Sequence, residues 1–253
     1  MIAVLLCAGY GTRLYPRTRD YPKALLPVAD RPVLDHLMTP LAALAGLNEI
    51  HIVTNARFFD HFKSWCDDWR RRLGGRGPDI VLHNDGSTEN ANRLGACGDL
   101  KLVFDRADAW EGCLVAAGDN IFCFDLEPLW EAFRQGGHHR IVALPETDPE
   151  RLRKTGVPVF GAGSRVLALA EKPKKPPSRW CIPALYFLKP SAVPLLAAFL
   201  RTAEKTDAPG HFINYLCRRA PVEAFRLNAS RLDIGDEAAY RRADYWMRTT
   251  GCL

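Results

Sequence analysis

Arg13, Lys23, Asp119, Glu171, Lys172 and Asp233 are the side chains whose types and settings could do chemistry. The first two lie in the stretch Leu5 to Pro32. An apolar run, Ile2-Ala3-Val4-Leu5-Leu6-Cys7, leads into it and is short enough for a buried strand. Ala8-Gly9-Tyr10-Gly11-Thr12 then breaks the run. Glycine lets backbone approach a ligand closely and turns N–H groups toward an anion. Arg13 stands just past the second glycine. Lys23 follows after Pro16 and Pro22 have stiffened the loop. Backbone donors with one Arg and one Lys at a strand end suit a polyphosphate. The donors hold phosphate oxygens, and the cations stabilise charge that develops during transfer. The string is not a P-loop, because no G-K-[ST] follows, and it lacks the third glycine of the dinucleotide fingerprint. A plain turn with two solvated cations is the competing reading of these residues alone.

The carboxylates also carry two readings each. Cys113-Leu114-Val115-Ala116-Ala117 reads as a central buried strand, and Gly118-Asp119-Asn120 follows it. An Asp there is well placed to hold a metal, and oxygen ligands suit Mg²⁺. The same Asp-Asn pair could serve as a helix cap or turn. Glu171-Lys172-Pro173 could be a solvated charged turn, as Lys174 and Lys175 beyond it suggest. Asp233, in Arg231-Leu232-Asp233-Ile234-Gly235-Asp236, could be a turn residue.

Taken together, the segments resemble one family. Gly9-Tyr10-Gly11-Thr12-Arg13-Leu14, then Pro22-Lys23-Ala24-Leu25-Leu26-Pro27-Val28, then Arg31-Pro32, resemble the signature of sugar-1-phosphate nucleotidyltransferases. That family includes glucose-1-phosphate thymidylyltransferases and mannose-1-phosphate guanylyltransferases. Gly118-Asp119-Asn120 and Glu171-Lys172-Pro173 resemble its G-D-N and E-K-P elements, and Thr155-Gly156-Val157 its sugar-side glycine. Residues 231–236 resemble its W-x-D-T-G-T element, with Arg for Trp and with Ile and Asp for the two Thr.

The resemblance implies an enzyme that moves a nucleoside monophosphate from a nucleoside triphosphate to a sugar 1-phosphate, releasing pyrophosphate, with Mg²⁺ as cofactor. It implies Arg13 and Lys23 as the catalytic cations. Nucleotide contacts fall on Leu6, Ala8, Gly9, Gly11, Thr12, Arg13, Asn90, Gly95 and Asp119. The acceptor falls on Asp119, Gly156, Glu171 and Lys172, and the metal on Asp119 and Asp233. The expected fold is α/β, a Rossmann-like three-layer α/β/α sandwich. Its central sheet is mixed and mainly parallel, beside a small β-rich substrate lobe.

Two departures leave the substrates open. The usual Gln-x-x-x-x-Gly-Leu-Ala run of thymidylyltransferases is missing from Asn84 to Ala96. Asn84, Asn90 and Asn92 could each read a base edge through their amides. Pro183-Ala184 stands where the family usually has Thr-Gly near the sugar. A cytidylyltransferase acting on a non-sugar phosphomonoester such as phosphocholine is therefore the alternative enzyme. A non-catalytic sugar-nucleotide-binding regulatory homologue is the alternative from another class.

Composition is compatible with all three. At 253 residues, with 47% hydrophobic and 25% charged residues, the chain can bury a substantial core. We expect one nucleotidyltransferase domain over 1–253, with a nucleotide-binding core in 1–145 and the sugar-phosphate part and C-terminal helices in 146–253. The stretch beyond Trp246 is too short for the left-handed β-helix of some relatives, so no acyltransferase activity is expected. The net charge of +5 is mild, and no basic stripe with interleaved aromatics argues for nucleic acid. Arg70-Arg71-Arg72 reads as a helix C-terminus. No apolar segment is long enough for a membrane span, and the N-terminal run lacks a basic leader. The eight cysteines include no C-x-x-C and read as buried free thiols, which places the chain in the cytoplasm. Oligomeric state is left open; the resemblance allows a homo-oligomer.

The elements that must position these residues follow from periodicity. Helices are expected over 33–45, 58–73, 126–133, 192–200, 210–219 and 237–247. Strands are expected over 50–53, 80–83, 141–144, 182–188 and 222–227, with a hairpin over 156–160 and 165–170. His51 alternates with apolar neighbours and reads as structural. Alternating strands and helices in the first third imply right-handed crossovers, with ligands at the carboxyl ends of the strands.

Overall fold

A computed structural model describes residues 1–202 and 206–252. The first elements are β1 (Ile2–Leu6), β2 (Pro27–Val28), β3 (Arg31–Pro32), α1 (Val33–Ala43), β4 (Glu49–Thr54), α2 (Phe59–Leu73) and β5 (Asp79–Asn84). Then come α3 (Gly95–Phe104), β6 (Cys113–Ala117), β7 (Asn120–Cys123), α4 (Glu127–Gln135), β8 (His139–Pro145) and α5 (Pro149–Leu152). The remainder is β9 (Gly156–Phe160), β10 (Val166–Glu171), β11 (Trp180–Cys181), β12 (Leu185–Leu188), α6 (Ala192–Thr202), α7 (Pro209–Cys217), β13 (Val222–Arg226), β14 (Ser230–Asp233) and α8 (Glu237–Thr249). The architecture is the expected α/β one. Its strands run both parallel and antiparallel, helices cover them, and a small β-rich part stands beside them. The chain forms two compact units. Unit 1 holds Met1–Leu94, Ala117–Glu127 and Arg231–Leu253, and unit 2 holds Gly95–Ala116 and Pro128–Ser230. No helix among the described residues is long and apolar enough to cross a membrane.

In unit 1, β1, β4 and β5 are parallel neighbours, with Leu6 opposite Val53 and Val53 opposite His83. Their near-continuous apolar runs fit strands covered on both faces. α1 buries Leu34, Leu37, Met38 and Leu41, spaced as one helical stripe. α2 buries Phe62, Trp65, Cys66 and Trp69, and its end is closed by Gly74 in the left-handed conformation at φ 56°. The buried Asp35 of α1 accepts from the indole N–H groups of Trp65 (2.7 Å) and Trp69 (2.8 Å) and from Arg72 (3.2 Å). That satisfies a carboxylate which would otherwise be costly to bury. His51 and His83 share a buried hydrogen bond of 2.9 Å, and burial pushes His51 down to about 4, so it is a neutral structural residue.

One apolar cluster of unit 1 takes in sequence neighbours of the candidate residues. It contains Leu14, Leu26, Val28, Val33, Ile121, Ile234, Tyr240 and Ala243. Leu14 follows Arg13, Ile121 lies two residues past Asp119, and Ile234 follows Asp233. Truncating a fully buried residue such as Ile234 to Ala typically costs roughly 2–5 kcal/mol. Strands β2 and β3 turn through Ala29 (φ 48°) and Asp30 (φ 63°), the signs that a tight two-residue hairpin requires. α8 grips that turn: Ala29 N–H donates to Asp244 (2.8 Å) and Arg248 forks onto Asp30 (2.7 Å). The hydroxyl of Tyr240 donates to Pro27 O (2.6 Å).

Unit 2 is mostly antiparallel. β12 pairs antiparallel with β6 and β8, β11 antiparallel with β8, and β13 parallel with β8. The expected hairpin is present as β9 and β10, with Glu171 opposite Gly156 and a register shift between Val166 and Ala168. α7 is pinned to it where Leu169 N–H donates to Asn214 Oδ1 (3.1 Å).

Several expectations need correction. The strand expected over 182–188 begins only at Leu185, because Ala184 takes a left-handed φ of 51° that breaks a ladder. The small strands β2, β3, β7 and β14 carry too few residues to show a period of two. The cysteines are not all free thiols. Cys123 and Cys252 are joined as a disulfide, 129 residues apart, because the tail after α8 returns to β7. The other six are buried. Nothing in the spacing of the eight cysteines signals that pairing, and it removes these two residues from the argument for a reducing compartment.

Candidate active site

The glycine loop is held open from beneath. Cys7 N–H continues the ladder to Val53 O (2.8 Å), and Asn55 donates to Ala8 O (2.9 Å). Leu6 O accepts from Gly118 N–H (3.1 Å), which ties the loop to the turn carrying Asp119. Gly118 has to be glycine, because a Cβ there would overlap Cys7 Sγ. Gly9 faces open space, with no atom within 4 Å of where a Cβ would stand. Gly11 is left-handed at φ 60°, and Thr18 Oγ1 donates to its carbonyl (2.7 Å). Thr12 and Arg13 then begin a single 3₁₀ turn with both side chains exposed. This is a glycine loop with an unblocked face, as anion binding by backbone N–H groups requires.

Four charged residues of unit 1 act on one another. Lys23 forms an ion pair with Asp119 Oδ2, and Asn120 Nδ2 donates to Asp119 Oδ1 (2.8 Å). Arg231 donates in turn to Asn120 Oδ1. Asp119 O accepts from Ile234 N–H (3.0 Å), which brings Asp233 alongside. Burial works against the Asp119 charge, but Lys23 and Arg231 outweigh it and hold the carboxyl below its ordinary range. Asp233 moves the other way. Loss of surrounding water and the adjacent Asp119 charge push it up, against Arg231, Lys23 and Arg13. Two carboxylates in contact through their fields, one of them forced upward, form a site that gains from a cation.

The loop after β5 spends most of its polar groups on itself. Asn84 Oδ1 accepts from Gly86 N–H (2.8 Å), and Asn92 Oδ1 from Thr88 and Glu89 N–H (3.1 Å each). Asn90 is exposed, and its Oδ1 accepts from Arg93. Buried Tyr10, between the two glycines, shares a 3.1 Å hydrogen bond with Ser87, which also donates to Asp85 (2.8 Å). Tyr10 and Ser87 thus join the glycine loop to the polar loop, a link the sequence did not single out.

The remaining candidates gather in unit 2. Lys172 N–H donates to Thr155 O (3.0 Å), Thr155 Oγ1 to Ile182 O (3.0 Å), and Ile182 N–H to Gly156 O (2.9 Å). Glu171 lies across from Gly156, and burial raises its carboxyl despite Lys172. Lys172 is exposed at a left-handed φ of 47°. Non-glycine residues in that region are uncommon and concentrate at functional sites. Gly95, expected among the nucleotide contacts, opens α3 in this unit at φ 76°. A Cβ on it would come within 3.0 Å of Asp207 Cα, so close packing also accounts for the glycine.

A nucleotidyl transferase family model matches residues 2–249, nearly the whole chain. The chain belongs to the sugar-1-phosphate nucleotidyltransferase family. It is 34% identical over 199 residues to the glucose-1-phosphate thymidylyltransferase of Neisseria meningitidis, covering 76% of this chain but only 63% of that protein. It is 27% identical over 247 residues to the UTP–glucose-1-phosphate uridylyltransferase AglF of Haloferax volcanii, covering 95% and 96% of the two chains. A solved UDP-glucose pyrophosphorylase complexed with UDP-glucose has the same fold, with a TM-score of 0.80 at 18% identity over 98% of both chains.

Leu6, Ala8, Gly9, Gly11, Thr12, Arg13, Lys23, Asn90, Asp119 and Asp233 all lie in unit 1. Gly156, Glu171 and Lys172 come together in unit 2. Sequence reasoning missed the parts played by Asn120 and Arg231. The available signal was their placing: Asn120 adjoins Asp119, and Arg231 is two residues from Asp233 along a strand, on the same face.

Proposed function

We propose that the protein is a Mg²⁺-dependent nucleotidyltransferase that joins a nucleoside monophosphate from a nucleoside triphosphate to a sugar 1-phosphate, releasing pyrophosphate. The observation that carries this reading is the ion pair of Lys23 with Asp119, with Asp233 alongside and the open glycine loop attached to the same turn. The Gly9–Thr12 backbone would cradle the triphosphate, and Arg13 would neutralise the pyrophosphate as it leaves. Lys23 would shift from Asp119 to the α-phosphate and the acceptor phosphate. Glu171 would accept hydrogen bonds from acceptor hydroxyls, and Lys172 would hold the acceptor phosphate. No covalent enzyme intermediate is needed, so these residues position the groups and offset charge.

Asp119 and Asp233 fit the metal. They are hard oxygen donors, and their mutual repulsion is the strain a divalent cation relieves. Bound there, Mg²⁺ would offset charge on the attacked phosphate. The names of the two relatives support glucose 1-phosphate and either dTTP or UTP as the first substrates to try.

The test is pyrophosphate release by purified protein with Mg²⁺. Five triphosphates (ATP, GTP, CTP, UTP and dTTP) are tried against sugar 1-phosphates, phosphocholine and related phosphomonoesters. Release that needs one triphosphate and one sugar 1-phosphate supports the proposal. Release only with CTP and phosphocholine replaces the acceptor. Nucleotide-sugar binding without turnover across the grid replaces the enzyme by a binding protein.

A further inference from the structure

Two glycines from different elements close on a single oxygen of Glu171. Gly156 opens β9, and a Cβ built on it would lie 3.2 Å from Glu171 Oε2. Gly210 sits in the first turn of α7, and a Cβ there would overlap the same oxygen and come within 3.1 Å of Glu171 Cδ. Leu169 closes the slot from the side, with methyl carbons 3.3–3.4 Å from both Cβ positions. Neither glycine adopts a left-handed φ, so backbone freedom does not explain them. Space for a carboxylate does.

We propose that Gly210, together with Gly156, is a positioning residue for the acceptor: the two leave a slot that fixes the Glu171 carboxylate against α7. This rests on the reading of Glu171 as the acceptor's hydroxyl partner. It gives Gly156 a second reason to be glycine beyond exposing backbone to a sugar. It also assigns a part to Gly210, which no sequence signal marks.

Gly210→Ala tests it, alone and combined with Glu171→Ala. Glycine inside a helix is less stable than alanine there, so by helix propensity alone Gly210→Ala should raise the thermal midpoint. With Glu171 present, the added methyl must push its carboxylate out of the slot, which offsets that gain. With Glu171→Ala, the slot is empty and the full gain should appear. The difference between the two backgrounds requires no catalysis, so it tests the slot even if the nucleotidyltransferase reading fails. In the active protein, Gly210→Ala should raise the KM for the acceptor about tenfold, leave the KM for the triphosphate unchanged, and add nothing to Glu171→Ala. A midpoint change of equal size in both backgrounds overturns the slot. A midpoint change that depends on Glu171, with an unchanged acceptor KM, overturns the positioning role and leaves the slot as packing. If Gly210→Ala folds only when combined with Glu171→Ala, the slot stands; failure to fold in both backgrounds overturns it.

Discussion

The two groups of site residues are held in place by opposite means. In unit 1, charged and polar side chains hold one another: Lys23 on Asp119, Asn120 on Asp119, Arg231 on Asn120. In unit 2, Glu171 and Lys172 are placed by backbone hydrogen bonds and by the missing side chains of Gly156 and Gly210. The difference follows from the work proposed for each. Developing phosphate charge is best met by groups preorganised as a network, since removing any one leaves its neighbours unbalanced. A hydroxyl-bearing acceptor needs one acceptor oxygen at a fixed point, which shape alone can supply. Damage in unit 1 should therefore appear in the rate of transfer, and damage in unit 2 in acceptor affinity and backbone stability.

The largest effect is expected from Lys23→Ala. It removes the cation on Asp119 and the one assigned to the attacked phosphate, and should cost about 10²–10³ in turnover, measured as single-turnover pyrophosphate release. Near-wild-type turnover would take Lys23 out of the chemistry and end the comparison, since unit 1 would then hold a structural ion pair only.

Asp233→Asn should also abolish most turnover, yet make the metal-free protein more stable. The Asp233 carboxyl is raised, first by loss of water and then by Asp119. A group raised in the folded state binds its proton more tightly there than in the unfolded chain. Its contribution is fully present at low pH and is lost as pH rises through its folded value. Asp119, held low by Lys23 and Arg231 against burial, contributes in the opposite sense: its share is lost as pH falls through its folded value. The midpoint difference between Asp233→Asn and wild type should therefore widen as pH rises through the carboxylate range and then level off. A difference that is flat in pH would mean that neither burial nor Asp119 raises Asp233 in the folded protein.

Arg231→Ala should act at second hand. Arg231 touches Asn120, and Asn120 orients Asp119. Removing a partner at that remove from a metal carboxylate typically costs about 10–100-fold in metal affinity or activity. The expected result lies near tenfold, seen as a higher Mg²⁺ concentration for half-maximal rate with the acceptor KM unchanged, and Arg231→Lys should recover part of it. A shift in acceptor KM instead would show that unit 1 also sets acceptor recognition.

How much of this was legible in the sequence follows the same division. Arg13, Lys23, Asp119 and Asp233 were picked out by what the family resemblance implies, since from the residues alone each also read as a turn or a solvated charge; the structure pairs Lys23 with Asp119 and sets Asp233 within reach of their fields. The hairpin over β9 and β10 was legible from alternation and glycine. The slot around Glu171 was not, because Gly210 contributes by lacking a side chain and meets Glu171 across 39 positions of sequence. The Cys123–Cys252 bond was hidden for the same reason, since 129 residues separate its ends. The base-reading residue stayed ambiguous among three asparagines. In the structure all three side-chain oxygens are engaged: those of Asn84 and Asn92 accept from backbone N–H groups of the loop, whereas that of Asn90 accepts from the Arg93 side chain, which makes Asn90 the first to test.

The smallest effect is expected where unit 2 departs from its family. Ala184 holds a left-handed φ of 51° beside Ile182, whose N–H donates to Gly156 O and whose carbonyl accepts from Thr155. An L-residue in that region costs roughly 1–2 kcal/mol, whereas glycine adopts it freely. Glycine also loosens the unfolded chain, which takes back about 0.4–1 kcal/mol. Ala184→Gly should thus stabilise by a net ~0.5–1 kcal/mol, read as a rise in denaturation midpoint, with the KM for triphosphate unchanged. If backbone geometry is what places Glu171 and Lys172, relief of this strain should move acceptor KM by no more than a few-fold, because Gly156 keeps both its partners. A fall in midpoint would mean that the Ala184 methyl packs more than its backbone strains. Unit 2 would then rely on side-chain contact at this point, and the contrast with unit 1 would narrow.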